Sequence, residues 1–343
     1  MTRRILTIDG GGMRGVFSAA VIEQMELING DKPANEIFDC FCGTSAGSLI
    51  AAGLANGMRA REIKELFLTV AKQSGDLVAE GASSANSLTP AEKRQAATTA
   101  LETMLKTVFG KKRPSDLRRD LRRSRAKRPG VRDSYLAVPA RDMATGKVVF
   151  FGNFPPDPGG EPSFWSNTEV DEDEPLWKIV RRSSALPPMF APSGAFLDGG
   201  ISPFANPTYA AYVGVKRRLG WNPADDELRF YSVGTGYHTP RTHGLAALDD
   251  EQMYGLMISA MMQDINFLQH QVMKRRDDEE GDRVWYKRFN ISFDQRGFDR
   301  FKLGTRTADE FEELSQTGSQ QVEELARIGT VVGKQSVHAD DFR

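Results

Sequence analysis

Residues 8–15 read IDGGGMRG, directly after an apolar run that includes Ile5 and Leu6. A strand that ends in three glycines and gives way to a helix gathers backbone N–H groups around one point, which is how a chain holds an anion. That anion is either a nucleotide phosphate held throughout or an oxyanion that exists only during a reaction. The rest of the chain has to decide between them.

The spacing Gly10-x-Gly12-x-x-Gly15 satisfies the dinucleotide fingerprint, which also requires an acid some twenty residues on, at the end of the second strand, to hold a ribose. Asp31 falls in the loop before the second apolar run (37–42), and that run ends in Gly43-Thr44-Ser45-Ala46-Gly47, so the ribose ligand is missing. An actin-like sugar-kinase loop would continue into an antiparallel strand, whereas residues 16–28 have helical spacing up to a stop at Asn29-Gly30. A nucleotide-binding protein using the glycine loop is thereby the weaker reading.

Gly43-Thr44-Ser45-Ala46-Gly47 is G-x-S-x-G between a predicted strand and a predicted helix of small residues, the context of a nucleophile elbow. Asp198-Gly199-Gly200 closes a further apolar run (195–197), and an acid at the carboxyl end of a strand is where a parallel α/β sheet places its site. A serine, an acid and a glycine loop suit acyl transfer, in which the loop meets a transient oxyanion.

In this order, DGGGMRG, GTSAG and DGG resemble the patatin-like phospholipase family. RRSSALPPMFAPSGA ahead of Asp198, SYLAVPARDMATGKVVFF (134–151) and SVGTG (232–236) add to the resemblance, which covers about residues 5–240. It implies an α/β three-layer sandwich, with a mostly parallel central sheet and helices on both faces. It implies a lipid acyl hydrolase of phospholipase A type, with no cofactor and no metal. Ser45 would be the nucleophile and Asp198 its general base. The N–H groups of Gly10, Gly11 and Gly12 would form the oxyanion hole, supported by Arg14, Gly15, Gly43, Gly47, Gly199 and Gly200. Membrane phospholipids would be met by peripheral contact, and bacterial members of this size include anti-phage effectors activated by a cyclic nucleotide. A serine–aspartate–histidine esterase is the rival, since His238 and His243 follow Asp198 in the α/β-hydrolase order.

The 343 residues read as one α/β unit over 1–343, with 241–343 as a helical elaboration. A net charge of −1 gives no overall pull toward nucleic acid or anionic lipid. Cys40 and Cys42 read as buried thiols of a reducing compartment, and no leader or membrane span is expected, so the protein is expected to be cytoplasmic. Further helices are expected over 90–109, 248–275 and 309–332, and strands across 134–151, 195–200 and 228–236. Lys111 to Arg132 carries eleven basic residues against two acids. With Leu117 and Leu121 one turn apart it could form a basic amphipathic helix on an anionic leaflet or a phosphate ligand, and it has no aromatics for nucleic-acid stacking.

Overall fold

The computed structural model describes residues 1–80, 89–117, 134–155, 174–238, 249–277, 283–314 and 318–343. Its strands are β1 (Thr2–Ile8), β2 (Cys40–Gly43), β3 (Tyr135–Asp142), β4 (Lys147–Gly152), β5 (Phe196–Asp198), β6 (Glu227–Val233) and β7 (Val284–Phe289). They form one sheet in the order β4-β3-β2-β1-β6-β7, with β5 paired to β3 off that path. The pairs β1–β2, β2–β3, β1–β6 and β6–β7 are parallel, while β4 and β5 run antiparallel to β3. The fold is the expected α/β sandwich.

Strand residues alternate between two apolar layers. Ile5, Cys40, Cys42, Leu228 and Phe230 pack on one face, with Ala211 and Val215 of the helix Thr208–Leu219 and Met273 of the helix Asp250–Asp277. Leu6, Ile8, Phe41, Tyr231 and Val233 pack on the other face, under the helices Gly15–Ile28, Ala46–Ala55, Ala60–Glu80 and Ser319–Ser336. Both faces are covered, so the central strand β2, CFCG, is buried at every residue. From β1 the sheet grows through β2 on one side and β6 on the other, so a switch point lies at its carboxyl edge.

The structure corrects the expected direction of the acid. β5 has only three residues and runs antiparallel, with Asp198 opposite Ala140 and Phe196 opposite Asp142. A strand has two edges, and β4 takes one edge of β3 over Ala137 to Asp142. β5 must therefore lie on the edge that β2 uses at Tyr135 to Ala137. It fills the place β2 vacates where its chain turns out of the sheet at Gly43. The carboxyl ends of β2 and β5 thus approach each other from opposite directions.

Three smaller corrections follow from packing. Ile37 ends a single helical turn, Ala34–Ile37, so the second strand begins only at Cys40. The helix expected over 309–332 is two, Ala308–Glu313 and Ser319–Ser336. Leu117, expected on a surface helix, is 2% exposed and belongs to the core; Leu121 and the arginines of the basic run from 118 onward lie outside the described residues.

Glu26 ties the first helix to its neighbours. Its carboxylate accepts from Ala34 N at 2.9 Å and from Ala60 N at 3.1 Å, capping the starts of two helices, with Arg59 Nε 3.4 Å away. Burial pushes its pKa up to about 7 against these lowering contacts. Glu26→Ala leaves two buried N–H groups without an acceptor and should cost about 2–5 kcal/mol of stability. Glu26→Gln, which keeps one acceptor, should cost less, and chemical denaturation of both variants measures the difference.

Candidate active site

The glycine loop hangs from a buried ion pair. Asp9, 1% exposed, accepts from Arg288 Nη1 at 3.2 Å and Nη2 at 2.5 Å, and Arg288 also donates to Ser232 Oγ at 2.7 Å. Burial pushes the Asp9 carboxyl up against the pull of the guanidinium beside it. Burial acts on Arg288 in the direction of losing its proton, and Asp9 more than reverses this. The pair brings β7 to the end of β1 and holds the loop at its first residue.

The sequence assigned three N–H donors to the loop, and the structure shows that one is already engaged. Gly10 N donates to Ala205 O at 3.0 Å, while among the described residues the N–H groups of Gly11 and Gly12 meet no acceptor. Gly12 has φ +57°, and a Cβ on Gly11 would lie 2.3 Å from Thr235 Oγ1, so neither position accommodates another residue without strain. Thr235 Oγ1 donates to Gly10 O at 3.3 Å, bracing the loop from the SVGTG segment. Arg14 closes the turn by donating its N–H to Gly11 O at 3.2 Å, and burial lowers its guanidinium pKa. Gly15 opens the helix Gly15–Ile28, where a Cβ would meet the Phe67 ring at 2.8 Å. The positive end of that helix points to the same loop.

Ser45 lies between β2 and the helix Ala46–Ala55 with φ 54° and ψ −125°, a backbone conformation that costs an L-residue about 1–3 kcal/mol. The surroundings hold it there. Thr44 N donates to Ile8 O at 3.2 Å, Thr44 Oγ1 to Phe204 O at 2.6 Å, and Ser45 N to Ser183 Oγ at 3.0 Å. A Cβ on Gly43 would lie 2.0 Å from Gly47 O, and one on Gly47 would lie 2.4 Å from Ile8 O.

Ser45 Oγ donates to Asp198 Oδ2 at 2.7 Å. Asp198 Oδ1 accepts from Gly200 N at 2.6 Å, and Gly199 N donates to Ser183 O at 3.1 Å. Ser183 therefore touches both sides of the pair, its hydroxyl on the serine and its carbonyl on the acid's turn. A Cβ on Gly199 would lie 2.4 Å from Pro139 O, which lets the turn sit flat on β3. Asp198 is 1% exposed, and burial pushes its pKa up to about 7, against the lowering bonds from Ser45 and Gly200.

Serine and acid meet with no imidazole between them. Both carboxylate oxygens are engaged by Ser45 and Gly200, His238 stands two residues beyond Gly236, and His243 lies outside the described residues. Arg288, Ser183 and Thr235 were not singled out by the sequence. Thr235 lay within a recognised segment, Ser183 within RRSSALPP, and Arg288 carried no local signal.

Arg288→Met leaves the Asp9 carboxylate buried without its partner and should cost about 3–5 kcal/mol. Asp9→Asn combined with Arg288→Met should recover part of that loss. Melting temperatures of the two variants give the comparison, and equal losses would remove the ion pair from its anchoring role.

A family profile described as "Patatin-like phospholipase" matches residues 6–212. A protein of Escherichia coli strain TW11681 named cGAMP-activated phospholipase is 28% identical over 254 residues, which are 68% of this chain and 62% of that protein. One of the same name from Vibrio cholerae is 40% identical over 84 residues, 22% of each. An Arabidopsis thaliana protein named probable inactive patatin-like protein 9 is 30% identical over 261 residues, 69% of this chain and 61% of that one. In all three the match spans less than two thirds of the relative's own length. The glycine loop, the elbow serine and the buried acid all fall inside the matched span, and the chain belongs to the patatin-like phospholipase family.

Proposed function

We propose that this protein is a lipid acyl hydrolase that cleaves carboxylic ester bonds of membrane phospholipids with a Ser45–Asp198 dyad. The observation that carries the reading is the direct 2.7 Å bond from Ser45 Oγ to Asp198 Oδ2, beside a loop with two open N–H donors. The proton of Ser45 passes to Asp198 as Oγ bonds to the ester carbonyl carbon. The carbonyl oxygen becomes an oxyanion facing Gly11 and Gly12, a contact worth about 3–4 kcal/mol per donor in measured enzymes. Collapse returns the proton to the leaving alcohol and leaves an acyl group on Ser45. Water then attacks the acyl carbon while Asp198 takes its proton, and collapse releases the fatty acid and restores the hydroxyl. Activation by a cyclic nucleotide is part of the reading and rests on the names of the bacterial relatives. Peripheral contact with the bilayer is part of the reading; no described helix is long and apolar enough to cross a membrane.

Fatty-acid release from phospholipid vesicles, with and without cyclic dinucleotides, tests the activity. Ser45→Ala should lower kcat by at least about a thousandfold, Asp198→Asn should be nearly as severe, and His238→Ala should change it less than about tenfold. A histidine variant as damaged as Ser45→Ala would replace the dyad with a triad.

The base works only when ionised, so kcat/KM on a soluble ester should rise with pH and level off above about 7. The same group opposes the fold. With its pKa raised from 3.8 to about 7, the folded protein holds a proton that the unfolded chain has released, so stability falls as pH rises between those values. Asp198→Asn should therefore raise the melting temperature at pH 8 and leave it little changed at pH 4, an effect of at most about 4 kcal/mol.

A further inference from the structure

The helix Asp250–Asp277 has two halves of different character. In the second, Gln269 and Met273 are buried, Gln269 Nε2 donates to Pro203 O at 2.9 Å, and His270 Nδ1 lies 2.9 Å from the Tyr286 hydroxyl. In the first, no described residue from 253 to 268 is buried. Met262 of this half reaches the candidate site. A Cβ built on Gly200 would lie 3.0 Å from Met262 Cε, and one built on Gly10 would lie 3.6 Å from it and 3.3 Å from Ser45 Cβ. The thioether tip thus sits between the glycine loop and the turn after Asp198, where an ester carbonyl has to enter. Ser45 beneath it is 8% exposed.

The same segment carries a second apolar face. Tyr254, Met257, Met261 and Leu268 are 40%, 64%, 38% and 60% exposed, and their spacing of three, four and seven puts them on one stripe. Met262, Gln269 and Met273 share a different stripe, the one turned to the body. Phe267, 65% exposed, stands off both. A helix that only completes a core needs one apolar face, and two imply a second apolar medium. Between 253 and 268 the only charged residue is Asp264, so electrostatic attraction to anionic lipid cannot be what this face uses.

We propose that residues 253–268 are a lid whose outer stripe enters the apolar surface of a lipid aggregate, and that Met262 is the side chain that closes the Ser45–Asp198 site in its absence. The choice of lipid rests on the proposed acyl hydrolysis and on the position of the stripe, on the helix whose Met262 lies against the glycine loop and the turn after Asp198. The second half, bonded at Gln269 and His270, stays with the body while the first half lifts and draws Met262 from the loop.

The test uses the full chain with Met257→Gln, Met261→Gln and Leu268→Gln combined, and separately with Met262→Ala. Wild type should sediment with neutral phosphatidylcholine vesicles to nearly the same extent at 0.1 and 0.5 M salt, and the triple variant should bind at least about tenfold less. Met262→Ala should raise kcat/KM on a monomeric short-chain ester several-fold without lipid and add little on vesicles. Several outcomes overturn the proposal. Vesicle binding unchanged in the triple variant would, and so would binding that needs anionic lipid and disappears at high salt. A triple variant that shifts from oligomer to monomer while still binding vesicles would assign the stripe to a second copy of the chain. Absence of ester hydrolysis in wild type and Met262→Ala alike would instead defeat the proposed activity, and the vesicle-binding result would stand by itself.

Discussion

The arrangement depends on how closely the helix Ala46–Ala55 can approach the end of β1. A Cβ on Gly47 would lie 2.4 Å from Ile8 O and 2.6 Å from Asp9 O, so only hydrogen fits there. This approach lays the first turn of the helix against the glycine loop and forces Ser45 into its strained conformation. The cost falls on a residue that several hydrogen bonds and the core restrain. A strained serine on a fixed turn keeps its hydroxyl in one place, which is what the proposed role of nucleophile facing a fixed base requires.

Around that contact the polar groups form a frame. Arg288 holds Asp9, Thr235 supports Gly10 and Gly11, and Ser183 joins the elbow to the acid's turn. Each comes from a different strand end or helix end, so the loop, serine and acid are positioned by several elements at once. Asp198 is the exception to a stabilising frame. Burial that lifts its pKa to about 7 suits it to the proposed role of base near neutrality and makes it a worse contributor to folding.

Much of this was legible in the residues because the chemistry demands particular types at particular spacings. The glycines around Ser45, the loop after β1 and the acid before two glycines announce themselves in sequence. What escaped depends on contacts distant in the chain. Gly10 is a glycine like its neighbours, and only Ala205, brought in by the fold, takes its N–H. β7 reads VWYKRF without clean alternation, because Lys287 is drawn to Asp341 and Arg288 to Asp9. The direction of β5 was hidden for a related reason. Three residues carry no period, and what orients them is the edge of β3 left free where β2 ends.

That shared edge also governs when in the life of the chain the site can exist. Ser45 and Asp198 are 153 positions apart, and the register that brings them together is set only when β5 reaches β3. During synthesis the amino-terminal elements are available first. A nascent chain that has emerged only through β4 already contains the residues of the glycine loop and the serine, yet Asp198 does not stand opposite the hydroxyl. Long-range pairing of this kind is slow relative to local helix formation. On the proposed dyad, chemical competence arrives with the closing of the sheet, and a partly made or partly folded molecule carries Ser45 without the carboxylate that would activate it.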